Sequence, residues 1–238
     1  TSDSDLIAEL IAAELTARGE GDAAVADVHA VDRGVGDGAG GPGHAGHGVV
    51  ELEEAVAAVV TRLRGAFSLV LMDETRIIGV RDPHGFRPLC LGRLDGGWVL
   101  ASESPALDIV GAEFVRELEP GEMVVVDDDG VRSHHPFGPD VPEPRLCLFE
   151  FVYFARPDTR LYGQSVHQAR IRMGEHLAAQ APADADMVMG VPESGVPAAE
   201  GFARASGIPF GQGLVKNRYV GRSFIAPNQE MRARTVHM

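Results

Sequence analysis

The chain has 238 residues, 45% of them hydrophobic and 24% charged, which is enough for one large or two modest domains with hydrophobic cores. Its formal net charge of −14 argues against a general nucleic-acid-binding surface. No apolar run approaches the roughly 20 residues that span a bilayer, and the acidic start is unlike a signal peptide. We therefore predict a cytoplasmic protein with neither nucleic acid nor membrane as a partner.

The first part of the chain predicts two helices followed by a series of short strands. Apolar stripes indicate helices over 3–18 and 51–64, and the segment 34–48 between them holds eight glycines and predicts a loop. Turn signals separate strands predicted at 66–72, 76–81, 87–92, 97–102, 122–126 and 131–135. Ser104 and Pro105 predict a short helix that ends near Val110. This order favours an α+β domain with a mostly antiparallel sheet.

The pattern changes after a proline-rich segment, 136–145, which predicts a linker. The expected elements are helix 165–180, strand 186–191, helix 196–206 and strand 208–214. Strand, helix and strand in this order are typical of a parallel α/β sheet. We therefore predict two domains, 1–140 and 141–238. One such unit cannot cover both faces of a parallel sheet, so we expect the second domain to be partial.

Two features of the second domain predict a phosphate-binding site. The segment Val191–Gly195 is a turn between a predicted strand and a helix, where α/β sheets bind ligands and helix amides bind anions. Downstream, three cations lie within seven residues: Lys216, Arg218 and Arg222. Such groups make charge-assisted hydrogen bonds to pyrophosphate. Together the two features indicate a sugar-phosphate or nucleotide site, although either alone is also typical of an ordinary turn or a solvated face.

Four motifs resemble those of one enzyme family. The segments Leu148–Asp158 and Val215–Ile225 closely resemble the signatures of the amidophosphoribosyltransferases, and Arg81–Leu89 and Ser102–Leu107 resemble their class II glutamine amidotransferase half. The order and spacing match over essentially the whole chain except 34–48, which looks like an insertion. The resemblance implies a partial N-terminal-nucleophile sandwich followed by a partial type I phosphoribosyltransferase domain.

The resemblance also implies a reaction. Family members hydrolyse glutamine and pass the ammonia through an internal channel to phosphoribosyl pyrophosphate. The ammonia displaces pyrophosphate and gives 5-phosphoribosylamine in the first step of de novo purine biosynthesis. The family suggests a homotetramer.

Individual roles follow by matching positions. Asp3 matches the aspartate that holds the α-amino group of glutamine, although it can equally cap the first helix. Ser194 matches a hydroxyl among the magnesium–substrate contacts. Tyr153 and Ile225 match residues that line the ammonia channel. The three cations Lys216, Arg218 and Arg222 lie in the segment that closes over the bound substrate.

Cys147 matches a cysteine that ligates a 4Fe-4S cluster in one branch of the family, whereas another branch keeps the cysteine without a cluster. A cluster of this type needs four thiolates, and the sequence contains two cysteines. The second, Cys90, lies in a predicted strand and is interpreted as a buried structural thiol.

The chain departs from the family pattern in two places. It lacks the Cys-Gly start that provides the family's nucleophile and the paired aspartates that bind the ribose hydroxyls. We therefore expect these 238 residues alone to be inactive. Thr1 as a nucleophile is disfavoured because it precedes a helix rather than a strand. The alternative to an enzyme fragment is a binding or regulatory protein that kept the fold. An aminosugar synthase is disfavoured by the segment Tyr153–Asp158 and the basic segment.

Overall fold

The computed structural model describes residues 3–18, 48–139, 143–217 and 227–236. The chain divides into two compact units. Unit 1 contains Thr1–Glu150 and Thr159–Tyr162, and unit 2 contains Phe151–Asp158 and Gly163–Met238. The predicted domain boundary at 140 stays a prediction.

Unit 1 is built from helices and antiparallel strands, which confirms the predicted α+β character. Helices α1 and α2 span Asp3–Ala17 and Gly48–Val60, and α3 spans Ser104–Val110. The strands are β1 (Ser68–Met72), β2 (Ile77–Arg81), β3 (Cys90–Leu94), β4 (Gly97–Ala101), β5 (Glu113–Glu117), β6 (Met123–Asp127), β7 (Gly130–His134) and β8 (Arg160–Leu161). The first seven form a four-stranded sheet in the order β1-β2-β6-β7 and a three-stranded sheet in the order β4-β3-β5.

The main core of unit 1 lies between helices α1 and α2 and the four-stranded sheet. Because side chains alternate along a strand, β2 and β6 turn one set of apolar residues toward these helices. Ile78 lies opposite Val125 in the antiparallel register, and both are fully buried. The cluster is completed by Ile11, Ala55, Val56, Val59, Val60, Val80 and Met123. Most of the two predicted apolar stripes pack in this core, whereas Leu6 at the start of the α1 stripe is 57% exposed.

Two details of unit 1 differ from prediction. Helix α2 ends at Val60 rather than near 64. The amide of Leu63 donates to the Val60 carbonyl in a tight turn, and Gly65, whose φ is 109°, then changes the direction of the chain. Strand β5 was not predicted. Its sequence places Phe114 and Val115 between charged residues, and pairing with β3, including an irregularity at Leu91–Gly92, defines it as a strand.

Unit 2 is held together by a pair of helices, α4 (Val166–Gln180) and α5 (Val196–Ser206). Gly174 and Gly201 lie where the two helices touch. A β-carbon at Gly174 would press on the backbone of Ala198, and one at Gly201 would press on that of Ile171. Glycine at both positions therefore allows the two backbones to approach closely. Unit 2 also contains β9 (Gln164–Ser165) and α6 (Gln229–Val236), and a π-helix spans Glu150–Phe154.

The two predicted parallel strands of unit 2 are wrong as full strands. The structure has one parallel bridge, in which the Val188 amide donates to the Pro209 carbonyl and the Gly211 amide donates to the Val188 carbonyl. Proline at 209 removes a donor, glycine at 211 weakens a strand, and the apolar side chains on this segment are exposed. The direction of pairing is nevertheless parallel, as the order of elements predicted.

No helix in the described ranges is both long enough and apolar enough to cross a membrane.

Candidate active site

The turn before α5 in unit 2 is the centre of the predicted phosphate site. The peptide bond between Pro192 and Glu193 is cis. The Gly195 amide donates to the Val191 carbonyl and the Val196 amide donates to the Glu193 carbonyl, both at 3.3 Å. Two amides that the sequence suggested for phosphate binding are therefore already engaged within the turn. Ser194, the predicted magnesium contact, is partly buried in this turn.

A cavity of about 380 Å³ opens beside this turn. It lies between the segment from Gly190 to Glu200 and the segment from Phe210 to Lys216. The parallel bridge between Val188 and Phe210 lies beside the start of both segments. Glu193, Glu200 and Gln212 contribute polar groups to its lining, and Lys216 contributes the cation. The structure thus brings the predicted turn and the start of the basic segment to one cavity, although 20 residues separate them in sequence.

Lys216 is paired across this cavity. Its ammonium group lies 3.4 Å from Glu193 Oε2, and both side chains are more than half exposed. Solvent and salt screen such a pair strongly, so it contributes little to stability. The pair nevertheless places one positive and one negative group at the same opening. An anionic ligand entering the cavity would compete with Glu193 for the ammonium group.

The remaining predicted site residues are divided between the two units and the undescribed segments. Arg218, Arg222 and Ile225 lie outside the described residues. Asp3 is exposed at the first position of α1 in unit 1. Its predicted roles, as a glutamine ligand and as a helix cap, both stay predictions.

Tyr153 lies on the π-helix, in the part that belongs to unit 2. Its side chain is half exposed, and its ring meets that of Phe154 edge-on with the ring centres 5.7 Å apart. On the opposite side of the same turn, Phe151 and Ala155 are buried. Short π-helices occur frequently at functional sites. The sequence motif predicted a role for Tyr153 but not this backbone conformation.

The motif Arg81–Leu89 forms a loop in unit 1 that is built around two buried charged residues. The Arg81 guanidinium donates to the carbonyl oxygens of Leu118, Gly85 and Arg87 and to the Tyr162 hydroxyl. The Asp82 carboxylate accepts from the amides of His84 and Phe86, two and four residues further along the chain. These contacts fix the loop from both sides, so Arg81 and Asp82 of the motif have a structural role.

A buried glutamate at the start of the π-helix is tied to this loop. Glu150 Oε1 lies 2.6 Å from Arg87 Nη1, and the carboxylate is almost completely removed from solvent. Burial raises the pKa of Glu150. The cation of Arg87 opposes that rise, and the negative charge of Glu103 adds to it. Glu103 itself accepts a 2.6 Å hydrogen bond from the Thr159 hydroxyl.

The two cysteines differ in their surroundings. Cys90 is buried in β3, where its thiol donates to the Ala101 carbonyl, and burial together with the nearby Glu117 raises its pKa to about 12. Cys147 is partly buried, and its amide donates to the Phe86 carbonyl. These two thiols do not make up the four ligands of a 4Fe-4S cluster, and the described residues contain no group of three or more metal-binding side chains. The role of Cys147 as a cluster ligand stays a prediction.

Comparison with known proteins matches both parts of the chain. Residues 2–109 match the glutamine amidotransferase domain family. The amidophosphoribosyltransferase of Mycobacterium tuberculosis is 55% identical over 188 residues, 78% of this chain and 35% of that protein. The enzyme of the same name from Synechococcus elongatus is 49% identical over 188 residues, 77% of this chain and 38% of that protein. Over the matched residues, the chain is similar to the amidophosphoribosyltransferases.

The structural comparison gives the same family. The glutamine phosphoribosylpyrophosphate amidotransferase of Bacillus subtilis, solved with ADP and GMP, superposes with a TM-score of 0.70. The match covers 97% of this chain and 48% of that chain at 38% sequence identity. The chain therefore spans between about a third and a half of the length of these amidophosphoribosyltransferases. The resemblance stated from the motifs and the expected fold class are both confirmed.

Sequence reasoning missed several residues that the structure places at these sites. Glu193 was read as part of a turn, and its pairing with Lys216 is visible only when the two segments are side by side. Glu150 lies inside a quoted motif, but an acidic residue next to phenylalanines gives no sign of its partner. Arg170 lies in the second turn of a predicted helix, and its charge gives no sign that it is buried.

Proposed function

We propose that this protein serves the glutamine-dependent transfer of ammonia to phosphoribosyl pyrophosphate, which gives 5-phosphoribosylamine in the first step of de novo purine synthesis. The observation that carries the proposal is the cavity beside Glu193 and Lys216 in a chain homologous to amidophosphoribosyltransferases. A match of residues 2–109 to a glutamine amidotransferase domain supports glutamine as the nitrogen source.

The charge at the cavity suits a pyrophosphate-bearing sugar. Lys216 places an ammonium group at the opening, and its present partner Glu193 is exposed and weakly held. A pyrophosphate carries more charge than one carboxylate and can take over this ammonium group. Arg218 and Arg222 follow in the same basic segment and are proposed to add two further cations. Their guanidinium groups suit bidentate contacts to phosphate.

The proposed reaction is a displacement at the ribose C1 carbon. The lone pair of ammonia forms the new C1–N bond while the bond from C1 to the pyrophosphate oxygen breaks, and the ammonium product loses one proton. Negative charge builds up on the leaving pyrophosphate. Cations placed in advance at that position stabilise the transition state more than the ground state. Lys216 is the described residue suited to this task.

Magnesium is the proposed cofactor of this half-reaction. Its preferred ligands are hard oxygens, usually with several from substrate phosphates and water. The Ser194 hydroxyl, partly buried in the turn beside the cavity, is of the right chemical type to serve as one such ligand. When bound, the ion would neutralise charge on the pyrophosphate.

The glutamine half of the proposal rests on family positions. Asp3 is proposed to hold the α-amino group of glutamine through a charge-assisted contact. Tyr153 and Ile225 are proposed to line the path of ammonia, where an apolar wall excludes water. We also propose a cytoplasmic location, a homotetrameric assembly and the inactivity of these 238 residues alone.

Lys216 offers a direct test, because it is the single lysine among the 238 residues. Acylation with a small amine-selective reagent, followed by mass spectrometry, reports on this side chain, and the N-terminal amine is the internal reference. We expect phosphoribosyl pyrophosphate with magnesium to slow modification of Lys216 and not of the N-terminus. Ribose at the same concentration is the matched control. Equal modification rates with and without the ligand would remove Lys216 from the site.

A kinetic test follows in the full-length protein. Lys216→Ala is expected to raise the apparent Michaelis constant for phosphoribosyl pyrophosphate by about tenfold, the loss of one charge-assisted contact. Arg204→Ala, which removes an exposed cation paired with Glu175 in the same unit, is the matched control and should leave this Michaelis constant unchanged. Protection of Lys216 without any phosphoribosylamine would favour the non-catalytic binding protein instead.

A further inference from the structure

A buried arginine in α4 holds the π-helix that carries Tyr153. Arg170 is 2% exposed. Its Nε donates to the Phe151 carbonyl at 2.6 Å, and its Nη2 donates to the Ala155 carbonyl at 2.8 Å. These two oxygens lie at the start of the π-helix and one residue beyond its end. One rigid guanidinium group therefore bonds both ends of the same turn.

The backbone chemistry explains why this contact matters. Carbonyl groups in the last turn of a helix lack partners within the helix, and burying them without a donor is costly. Arg170 supplies donors whose directions are fixed by the planar guanidinium group. A second tether lies nearby, where the His167 amide donates to the Pro157 carbonyl at 3.0 Å. The π-helix and the residues after it are thus attached to the first turns of α4.

The anchor itself is rigid. Helix α4 packs on α5 through Gly174 and Gly201, where the backbones are in close contact. Ser165 caps the start of α4 by accepting a hydrogen bond from the Gln168 amide. The Arg170 side chain therefore extends from a well-defined position and fixes the π-helix that it binds.

The arrangement leaves one side of the π-helix exposed. Phe151 and Ala155 are buried on the side that Arg170 holds, whereas Val152, Tyr153 and Phe154 are exposed. Because both ends of the turn are bonded to Arg170, the position of the backbone that carries the exposed aromatic rings depends on that side chain.

We propose that Arg170 is a positioning residue that fixes the Tyr153 ring for the transfer of ammonia. This inference rests on the proposed function. It assigns to Arg170 a role exerted through the backbone of the π-helix, without contact between Arg170 and any reacting group. A purely structural Arg170 would affect stability and every activity alike.

The test compares Arg170→Lys with Arg172→Lys in the full-length protein. Lysine keeps the charge and most of the stem, but one ammonium group cannot bond two carbonyls with the geometry of guanidinium. Arg172 lies two residues along α4, where it is exposed and bonds the Gln164 side chain, so the same chemical change there is the matched control. Thermal unfolding is measured for both variants to establish that they are folded at the assay temperature.

Three rates are measured: glutamine hydrolysis, product formation from ammonium salts, and product formation from glutamine. For Arg170→Lys we expect the first two to stay within about twofold of wild type, while product formed per glutamine hydrolysed falls by about tenfold, since small displacements at an active site cost this much or more. Arg172→Lys should match wild type in all three. Unchanged coupling in Arg170→Lys would overturn the positioning role.

A double substitution tests the route. If Arg170 acts through Tyr153, Tyr153→Ala combined with Arg170→Lys should lose no more coupling than Tyr153→Ala alone. If the losses of coupling from the two single substitutions multiply in the double variant, Arg170 acts by a route other than Tyr153, and the inference is overturned. Arg170→Met removes every donor and is expected to unfold unit 2, so the lysine variant carries the test. Absence of product from either nitrogen source in wild type would instead overturn the proposed function and this inference with it.

Discussion

The two compact units bury their apolar extended segments to very different degrees. In unit 1 the strand β6 is buried from Met123 to Val126, with helices α1 and α2 packed on its sheet. In unit 2 the corresponding extended segment leaves Met187, Met189 and Val191 exposed, the last at 70%. Antiparallel hairpins complete their hydrogen bonds locally and need cover on one face, whereas parallel strands are normally covered on both. Unit 1 therefore owes its stability to a sheet core and unit 2 to a helix pair.

The largest expected effect concerns the buried arginine of unit 1. Arg81→Met should lower the free energy of unfolding of unit 1 by about 3–5 kcal/mol, because it removes a buried cation that donates to three carbonyl groups and to the Tyr162 hydroxyl. The Arg87 and Gly85 carbonyls keep their 3.3 Å contacts from the hydroxyls of Ser68 and Tyr162. Urea denaturation followed by circular dichroism measures this change. Arg93→Met, on strand β3 of the other sheet, removes an exposed guanidinium stacked on Trp98 and should cost less than about 1 kcal/mol. Equal losses of unfolding free energy in the two variants would mean that the buried hydrogen bonds of Arg81 do not contribute more to stability than the exposed contact of Arg93.

Substitutions at two valines compare the buried strand of unit 1 with the exposed extended segment of unit 2. Val125→Ala removes buried methyl groups from the core of unit 1 and should cost about 2 kcal/mol. Val191→Ala makes the same change at a side chain that is mostly exposed and should cost less than about 0.5 kcal/mol. Denaturant midpoints of the two variants test the comparison directly. A cost at Val191 as large as that at Val125 would show that the segment is covered in solution.

The smallest effect is a pH dependence of opposite sign at two buried glutamates of unit 1. Burial opposes ionisation of Glu122, but hydrogen bonds from Arg116, Ser133 and the Glu119 amide outweigh it and lower its pKa. Burial dominates at Glu150 and raises its pKa, with Arg87 opposing and Glu103 adding to the rise. The stability that Glu122 contributes is present above its unfolded pKa and is lost as pH falls through the folded value. The contribution of Glu150 is present below its unfolded pKa and is lost as pH rises through the folded value.

The two glutamine substitutions should therefore respond oppositely to acid. The destabilisation by Glu122→Gln should shrink from pH 7 toward acid pH, whereas that by Glu150→Gln should grow. Each changes by about 1.4 kcal/mol for every unit by which the folded and unfolded pKa values differ. Urea unfolding at several acidic to neutral pH values gives both profiles. Parallel profiles would contradict the opposite shifts.

Local patterns predicted much of unit 1. Apolar spacing located α1 and α2, turn residues located six of the strands, and Pro105 located the start of α3. The same reasoning failed for β5 and for the two strands of unit 2, because pairing and cover by other segments decide whether an apolar run becomes a strand. The π-helix gave no periodic signal at all, since its backbone depends on Arg170 from a helix that comes later in the chain.

For the candidate site, the sequence by itself determined which chemical groups are available: the turn around Ser194, the lysine at 216 and the motif that contains Tyr153. The sequence also carried the resemblance to the amidophosphoribosyltransferases, because four motifs occur in the order and spacing of that family. The tertiary structure decided which of these groups meet. It joined Lys216 to Glu193 across a cavity, and it placed Arg170 against both ends of the π-helix. Such contacts depend on the three-dimensional packing of distant segments, which local residue preferences do not encode.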